Sequence, residues 1–129
     1  MKILWCWRCR MDIPMLEPNE ARQVWDQQYR GLETFDWSSL DRIYDELGDR
    51  HLVDERLRFE NESGGMLREY ERITGCHETR PAALYHHLVG LYGSPCKWCG
   101  KPLRTPRAKL CGSCMRPVAQ DSIFQGSPT

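Results

Sequence analysis

Six of the seven cysteines stand in C-x-x-C pairs. The clearest arrangement is Cys96-Lys97-Trp98-Cys99, a spacer of residues 100–110, and then Cys111-Gly112-Ser113-Cys114. Zinc takes four thiolates in a tetrahedron, and a C-x-x-C turn delivers two sulfurs to one side of it. Two such turns complete the shell, although the spacer is shorter than the usual ~15–20 residues. Gly100 and Gly112 sit close to these cysteines, where a tight knuckle needs a small side chain or a positive φ. The other chemistry open to the same thiols is disulfide pairing. It needs an oxidising compartment, and no segment of the sequence signals export.

Cys6 and Cys9 form a third pair. The soft or imidazole groups left to complete a second site are Cys76, His77, His86, His87 and His51. A site built from Cys6, Cys9, His77 and one of His86 or His87 is chemically sensible, so the chain is expected to hold one or two Zn2+ ions. The plainer reading is that His86-His87 cover the edge of a core and His77 helps end a helix. A redox role for Cys6 and Cys9 lacks the βαβ context such motifs occupy. A four-cysteine site leaves no position for a substrate water, so only a second site containing histidine could be catalytic. There is no P-loop, H-E-x-x-H or G-x-S-x-G. Glu78 beside His77 is the nearest approach to an acid/base pair.

The net charge of zero hides an asymmetry. Residues 17–79 carry 16 acids against 8 arginines, whereas residues 80–129 carry 7 Lys/Arg against Asp121 alone. Lys97, Lys101, Arg104, Arg107 and Lys109, with Trp98 as a stacking face, suit phosphate contact and base stacking. They suit equally the bland task of offsetting the negative charge of a zinc tetrathiolate. A third use is internal, the basic ribbon docking on the acidic helical part.

The elements that must position these residues are mostly helical by pattern. Pro18 suits a first helical position, and Ala21, Val24, Trp25, Tyr29 and Leu32 recur at helical spacing up to Gly31. A second helix starts near Ser38, with Asp41 as capping-box partner, and runs along Leu40, Ile43, Tyr44 and Leu47 to Gly48. Residues 49–60 suit a helix. Ser63-Gly64-Gly65 reads as a break, and Leu67, Tyr70 and Ile73 as a third short helix closed by Gly75. A fourth opens at Thr79 and Pro81, puts Leu84, Leu88 and Leu91 on one face, and contains His86-His87. The expected organisation is an N-terminal cysteine knuckle (1–16), an acidic helical region (17–93), a basic zinc ribbon (94–118) and a flexible tail (119–129). Mean hydropathy is −0.64, and no run approaches the roughly 18 apolar residues of a membrane span.

The stretch Gly93-Ser94-Pro95-Cys96 to Cys114, with Gly100-Lys101-Pro102-Leu103-Arg104-Thr105-Pro106 inside it, resembles short bacterial zinc-ribbon proteins of unassigned role. So do Cys6-Trp7-Arg8-Cys9 and the run Thr79-Arg80-Pro81 to His86-His87. The resemblance implies a cytoplasmic bacterial zinc-ribbon protein and supplies no activity. The expectation is a mainly α chain with a small C-terminal zinc ribbon and an N-terminal CxxC knuckle. It acts as a zinc-stabilised binding or adaptor protein with a protein partner and no membrane. A nucleic-acid-binding regulator using the basic ribbon is the alternative. A metal-dependent enzyme at the Cys/His second site is the third reading, and the residues point away from it.

Overall fold

Alternating side chains organise the N-terminus. In the computed structural model, which describes residues 1–118, β1 (Lys2–Cys6) pairs antiparallel with β2 (Met11–Met15), in register from Lys2↔Met15 to Cys6↔Met11. The segment expected to be an irregular knuckle is therefore a hairpin with the knuckle at its tip. Cys6, Ile13 and Met15 share its buried face and pack with Leu4, Cys9, Val89 and Tyr92. The tail foreseen at 119–129 lies outside the described residues.

Two compact units divide the chain: Met1–Pro18 together with the chain from His86 onward, and Asn19–Tyr85. The boundaries between them fall at 18/19 and 85/86. Helices of all kinds occupy 47% of the described residues, beside the one two-stranded sheet.

The Asn19–Tyr85 unit holds α1 (Pro18–Trp25, entered from Pro18), α2 (Leu40–Leu47), α3 (Arg50–Phe59) and α4 (Gly65–Thr74). Helix α1 ends six residues before Gly31, and Tyr29 takes a positive φ of 63°. The capping near Ser38 comes from Asp36, whose carboxylate accepts from the Ser38 N–H at 3.1 Å. Asp49 caps α3 in the same way, accepting from His51 N–H at 2.7 Å. Gly48 and Gly75 close α2 and α4 in the left-handed region, as their positions implied.

The expected break at Ser63-Gly64-Gly65 is absent. A π-turn, Glu60–Gly64, carries α3 straight into α4. The reason is close packing. A Cβ on Gly31 would lie 1.6 Å from the Glu60 carbonyl oxygen, and one on Gly65 would lie 3.0 Å from that of Gln27. The glycines admit the 27–31 loop against the helix and do not end it. Arg68 ties the join, donating to Glu60 Oε2 at 2.7 Å and to the Gly31 carbonyl at 2.7 Å.

The fourth expected helix is also corrected. Pro81–His86 is a single 3-10 stretch, after which Leu88 is extended and pairs with Leu16 in a parallel bridge. Leu16 N–H donates to the His87 carbonyl at 2.8 Å, and Val89 N–H to that of Leu16 at 2.9 Å. Leu84, Leu88 and Leu91 thus share no helical face. No helix among the described residues is long and apolar enough to cross a membrane.

Candidate metal centres

The three C-x-x-C turns are three copies of one backbone geometry. In each, the N–H four residues past the first cysteine donates to that cysteine's carbonyl: Arg10 to Cys6 at 2.8 Å, Gly100 to Cys96 at 2.9 Å, and Met115 to Cys111 at 2.9 Å. Each donor residue has a positive φ, at 57°, 79° and 62° respectively. Gly100 adopts it freely, whereas Arg10 and Met115 do so at a cost of about 1 kcal/mol each. A second N–H in each turn points at the first sulfur: Cys9 to Cys6, Trp98 to Cys96 and Ser113 to Cys111, each at 3.4 Å.

Each turn is also a hairpin tip. Around Cys96–Cys99, Gly93 N–H donates to the Leu103 carbonyl and Cys96 N–H to that of Lys101 at 2.7 Å. Around Cys111–Cys114, Cys111 N–H donates to the Arg116 carbonyl and Val118 N–H to that of Lys109, both at 2.9 Å. Strand-like pairing thus lies on the flanks of each cysteine pair. Cys96, Leu103 and Cys111 form a buried cluster at this end, with Ala108, Cys114 and Val118 packed against them.

The donors converge in two groups. Sγ atoms of Cys96, Cys99, Cys111 and Cys114 lie within 4.8 Å of one another. Cys96 and Cys114 are 3.7 Å apart, and Cys99 and Cys111 are 3.5 Å apart. Four sulfurs at ~2.3 Å from one ion have tetrahedral edges of about 3.8 Å, so the cage is close to the size zinc requires. All seven cysteines are free of disulfides, so their sulfurs are open to ligation as thiolates.

Charge at this cage is self-opposing without a cation. Backbone N–H groups of Cys114 and Ser113 hold the Cys111 thiol down to about 6. Those of Cys99 and Trp98 lower Cys96. At Cys114 the Arg116 N–H acts in the same direction. Burial and hydrogen bonds with the neighbouring thiols outweigh it and push Cys114 up to about 11. Thiolates this close cannot all ionise together, and a divalent ion among them removes the conflict.

The second group is Cys6, Cys9, His86 and His87, again within 4.8 Å. Cys6 Sγ lies 3.9 Å from His86 Nδ1, and Cys9 Sγ lies 3.3 Å from His87 Nε2. A mixed sulfur and imidazole tetrahedron has such edges of about 3.6 Å. Both adjacent histidines take part, which an α-helix forbids, since neighbours there point ~100° apart. The chain leaves its 3-10 turn at His86 and is extended by Leu88, and this lets the two rings meet edge to face at 5.2 Å.

His77, weighed for this site, is elsewhere. It belongs to the helical unit, and its Nδ1 lies 3.1 Å from Glu71 Oε1. His51 pairs with Glu55 at 3.2 Å, and the Cys76 N–H donates to Thr74 Oγ1. Glu78 accepts from the N–H groups of Thr79 and Arg80 through one oxygen and is not paired with His77.

Several contributors carried no sequence signal. The Tyr92 hydroxyl donates to the His86 carbonyl at 2.6 Å and faces Cys6 Sγ at 3.9 Å. Burial, and then the negative charge of Cys6, raises its phenol above the ordinary value, so it stays a donor. Trp7, inside the first turn, donates Nε1–H to the Pro102 carbonyl at 3.0 Å. Lys101 lies over the Trp5 ring at 3.9 Å, and Arg104 over Trp7 at 4.9 Å. Gly112 does not take the positive φ, which falls to Met115. Its smallness serves Arg104, whose Nε would lie 2.9 Å from a Cβ there. Trp7, Arg104 and Gly112 therefore form a packed line from the first cysteine turn to the third.

Comparison with protein-family models, with curated proteins and with solved structures finds no match. What the structure defines by itself is a chain with two cysteine-rich clusters, both in the Met1–Pro18/His86-onward unit and both compatible with zinc-like ligation.

Proposed function

We propose that both clusters hold zinc and that the chain is a zinc-stabilised binding or adaptor protein of the cytoplasm. The observation that carries this reading is that each cluster brings four possible ligand atoms within 4.8 Å of one another. The all-sulfur set and the Cys2His2 set are those of structural zinc. Four ligands close the coordination shell and leave no site for a water nucleophile, so the metal stabilises the fold and does no chemistry. Residues 93–118 bury little apolar material beyond Leu103, which explains why an ion is needed there. The two hairpin tips around Cys96 and Cys111 then make a zinc ribbon, and the Cys6 tip makes a companion site with His86 and His87.

Native mass spectrometry and elemental analysis of the full chain test this. Two zinc ions per chain are expected, and Cys6→Ala should lose one and keep the other. A single ion, with Cys6 and Cys9 alkylated in the folded protein, would end the second-site assignment. A count of zero in protein purified without chelator would end both.

A further inference from the structure

A cleft of about 240 Å³ opens beside the four-cysteine cluster, between its two hairpin tips. Pro95, Leu103, Pro117 and Val118 give it an apolar wall. Lys97, Trp98 and Arg116 line its remaining side. The volume falls below the ~300 Å³ at which small-molecule pockets begin, so the cleft admits one flat group and not a larger ligand. Trp98 is 60% exposed, unusual for the bulkiest apolar side chain, and Arg116 lies over its ring at 4.5 Å. A guanidinium is thus parked beside an open aromatic face.

The surrounding charge is one-sided. The described part of this unit carries nine Lys and Arg residues against Asp12 and Glu17. Even after a tetrathiolate centre contributes its negative charge, the unit stays net positive. Lys101 and Arg104 are engaged on Trp5 and Trp7. Lys97, Arg107 and Lys109 are exposed and make no ion pair among the described residues. Their charge is available to an outside anion.

We infer that this cleft binds single-stranded nucleic acid, with a base stacked on Trp98 and the flanking phosphates held by Arg116 and Lys97. The inference rests on the reading of the chain as a metal-stabilised binding module and names its partner. An acidic peptide would satisfy the cations but would leave the exposed indole without use. A nucleotide brings an anion and a π-face in every unit. Stacking on Trp98 needs a base face that a duplex keeps covered, which selects the single strand. The rigid metal-held turns on both sides fix Trp98 and Arg116 before the ligand arrives, so little ordering cost falls on binding.

The test is a fluorescence-anisotropy titration of the zinc-loaded full chain with labelled oligothymidylate, its duplex with oligoadenylate, and polyglutamate. Salt-sensitive binding of the single strand is expected, with the duplex and polyglutamate weaker. Trp98→Ala should weaken it about 5- to 150-fold, the range for removing one base stack. Trp98→Phe should recover most of that affinity. Lys97→Ala with Arg116→Ala should reduce the salt slope by ~0.7 for each phosphate no longer neutralised. Zinc content and helical circular dichroism are measured on every variant. A fully loaded, folded chain that ignores the single strand, or prefers polyglutamate or duplex, overturns the inference and leaves the metal reading standing. Equal binding by wild type and Trp98→Ala overturns it too. A chain without zinc fails at the earlier reading.

Discussion

Trp7→Phe asks whether the two metal centres are mechanically joined. The substitution keeps an aromatic ring in the first cysteine turn but removes the indole N–H that donates to the Pro102 carbonyl at 3.0 Å. A hydrogen bond of this kind is worth about 0.5–1.5 kcal/mol net. The ring also weakens as a seat for Arg104, now 4.9 Å away, and a cation–π interaction at a partly exposed site is worth ~0.5–1 kcal/mol. Phe retains part of the second contribution, so the combined loss is about 1–2 kcal/mol, or roughly 5- to 30-fold in the equilibrium it supports. That equilibrium is the docking of the first hairpin on the segment between the other two. Zinc release to an excess of colorimetric chelator reads it directly. Both ions should leave faster in the variant, although no ligand has been touched, because Trp7 sits in one site and Arg104 runs on to Gly112 in the other. Acceleration confined to the Cys6 site would refute the joint. Release rates unchanged for both ions would show that the Trp7 interactions carry no energy.

Cys111→Ser should strip the ion from the four-cysteine cage and cost the 93–118 segment its amide-exchange protection, while helical circular dichroism from α1 to α4 persists; protection retained throughout that segment would refute this. Gly31→Ala forces a Cβ to within 1.6 Å of the Glu60 carbonyl oxygen, so backbone must move, and chemical denaturation should show a loss of about 3 kcal/mol. Asp49→Ala removes the acceptor for His51 N–H and should cost ~1 kcal/mol in the same assay, with Asp49→Ser recovering most of it.

The cysteine pairs of the candidate clusters were the most legible part of the sequence because their spacing is local. A C-x-x-C turn needs only four consecutive residues, and all three pairs take the one geometry. The donors completing the second cluster have no fixed spacing from Cys6. In one dimension His77 with one of His86 or His87 completes the set, whereas the topology, through the Leu16–Leu88 bridge, brings up both His86 and His87 and leaves His77 out. Helices with strong apolar stripes and glycine stops, α2 and α4, were readable at those stops. Gly64 and Gly65 were misread because the sequence shows that a glycine is small, not whether the smallness serves a turn or a neighbour. The first hairpin was missed although Leu4, Cys6, Ile13 and Met15 alternate inward. The cysteine turn between the strands drew the reading to irregular structure. The 3-10 turn ending at His86 shares its spacing with an α-helix until the chain straightens, and no residue there announces the change.

The bridge between Leu16 and Leu88 makes the whole helical unit an insertion between two halves of the unit that carries both clusters. On a translating ribosome this sets a clock. Cys9 must wait for His87, 78 positions later, and Trp7 for Pro102, 95 positions later. At about 5–20 residues per second those delays are roughly 4–16 s and 5–19 s, long enough for a helical segment to form first. Through that interval Cys6 and Cys9 wait without the two imidazoles that complete their cluster. The second cluster is therefore complete only once residue 87 of the 118 described has been made, and any ion it takes is held by all four donors only from then on.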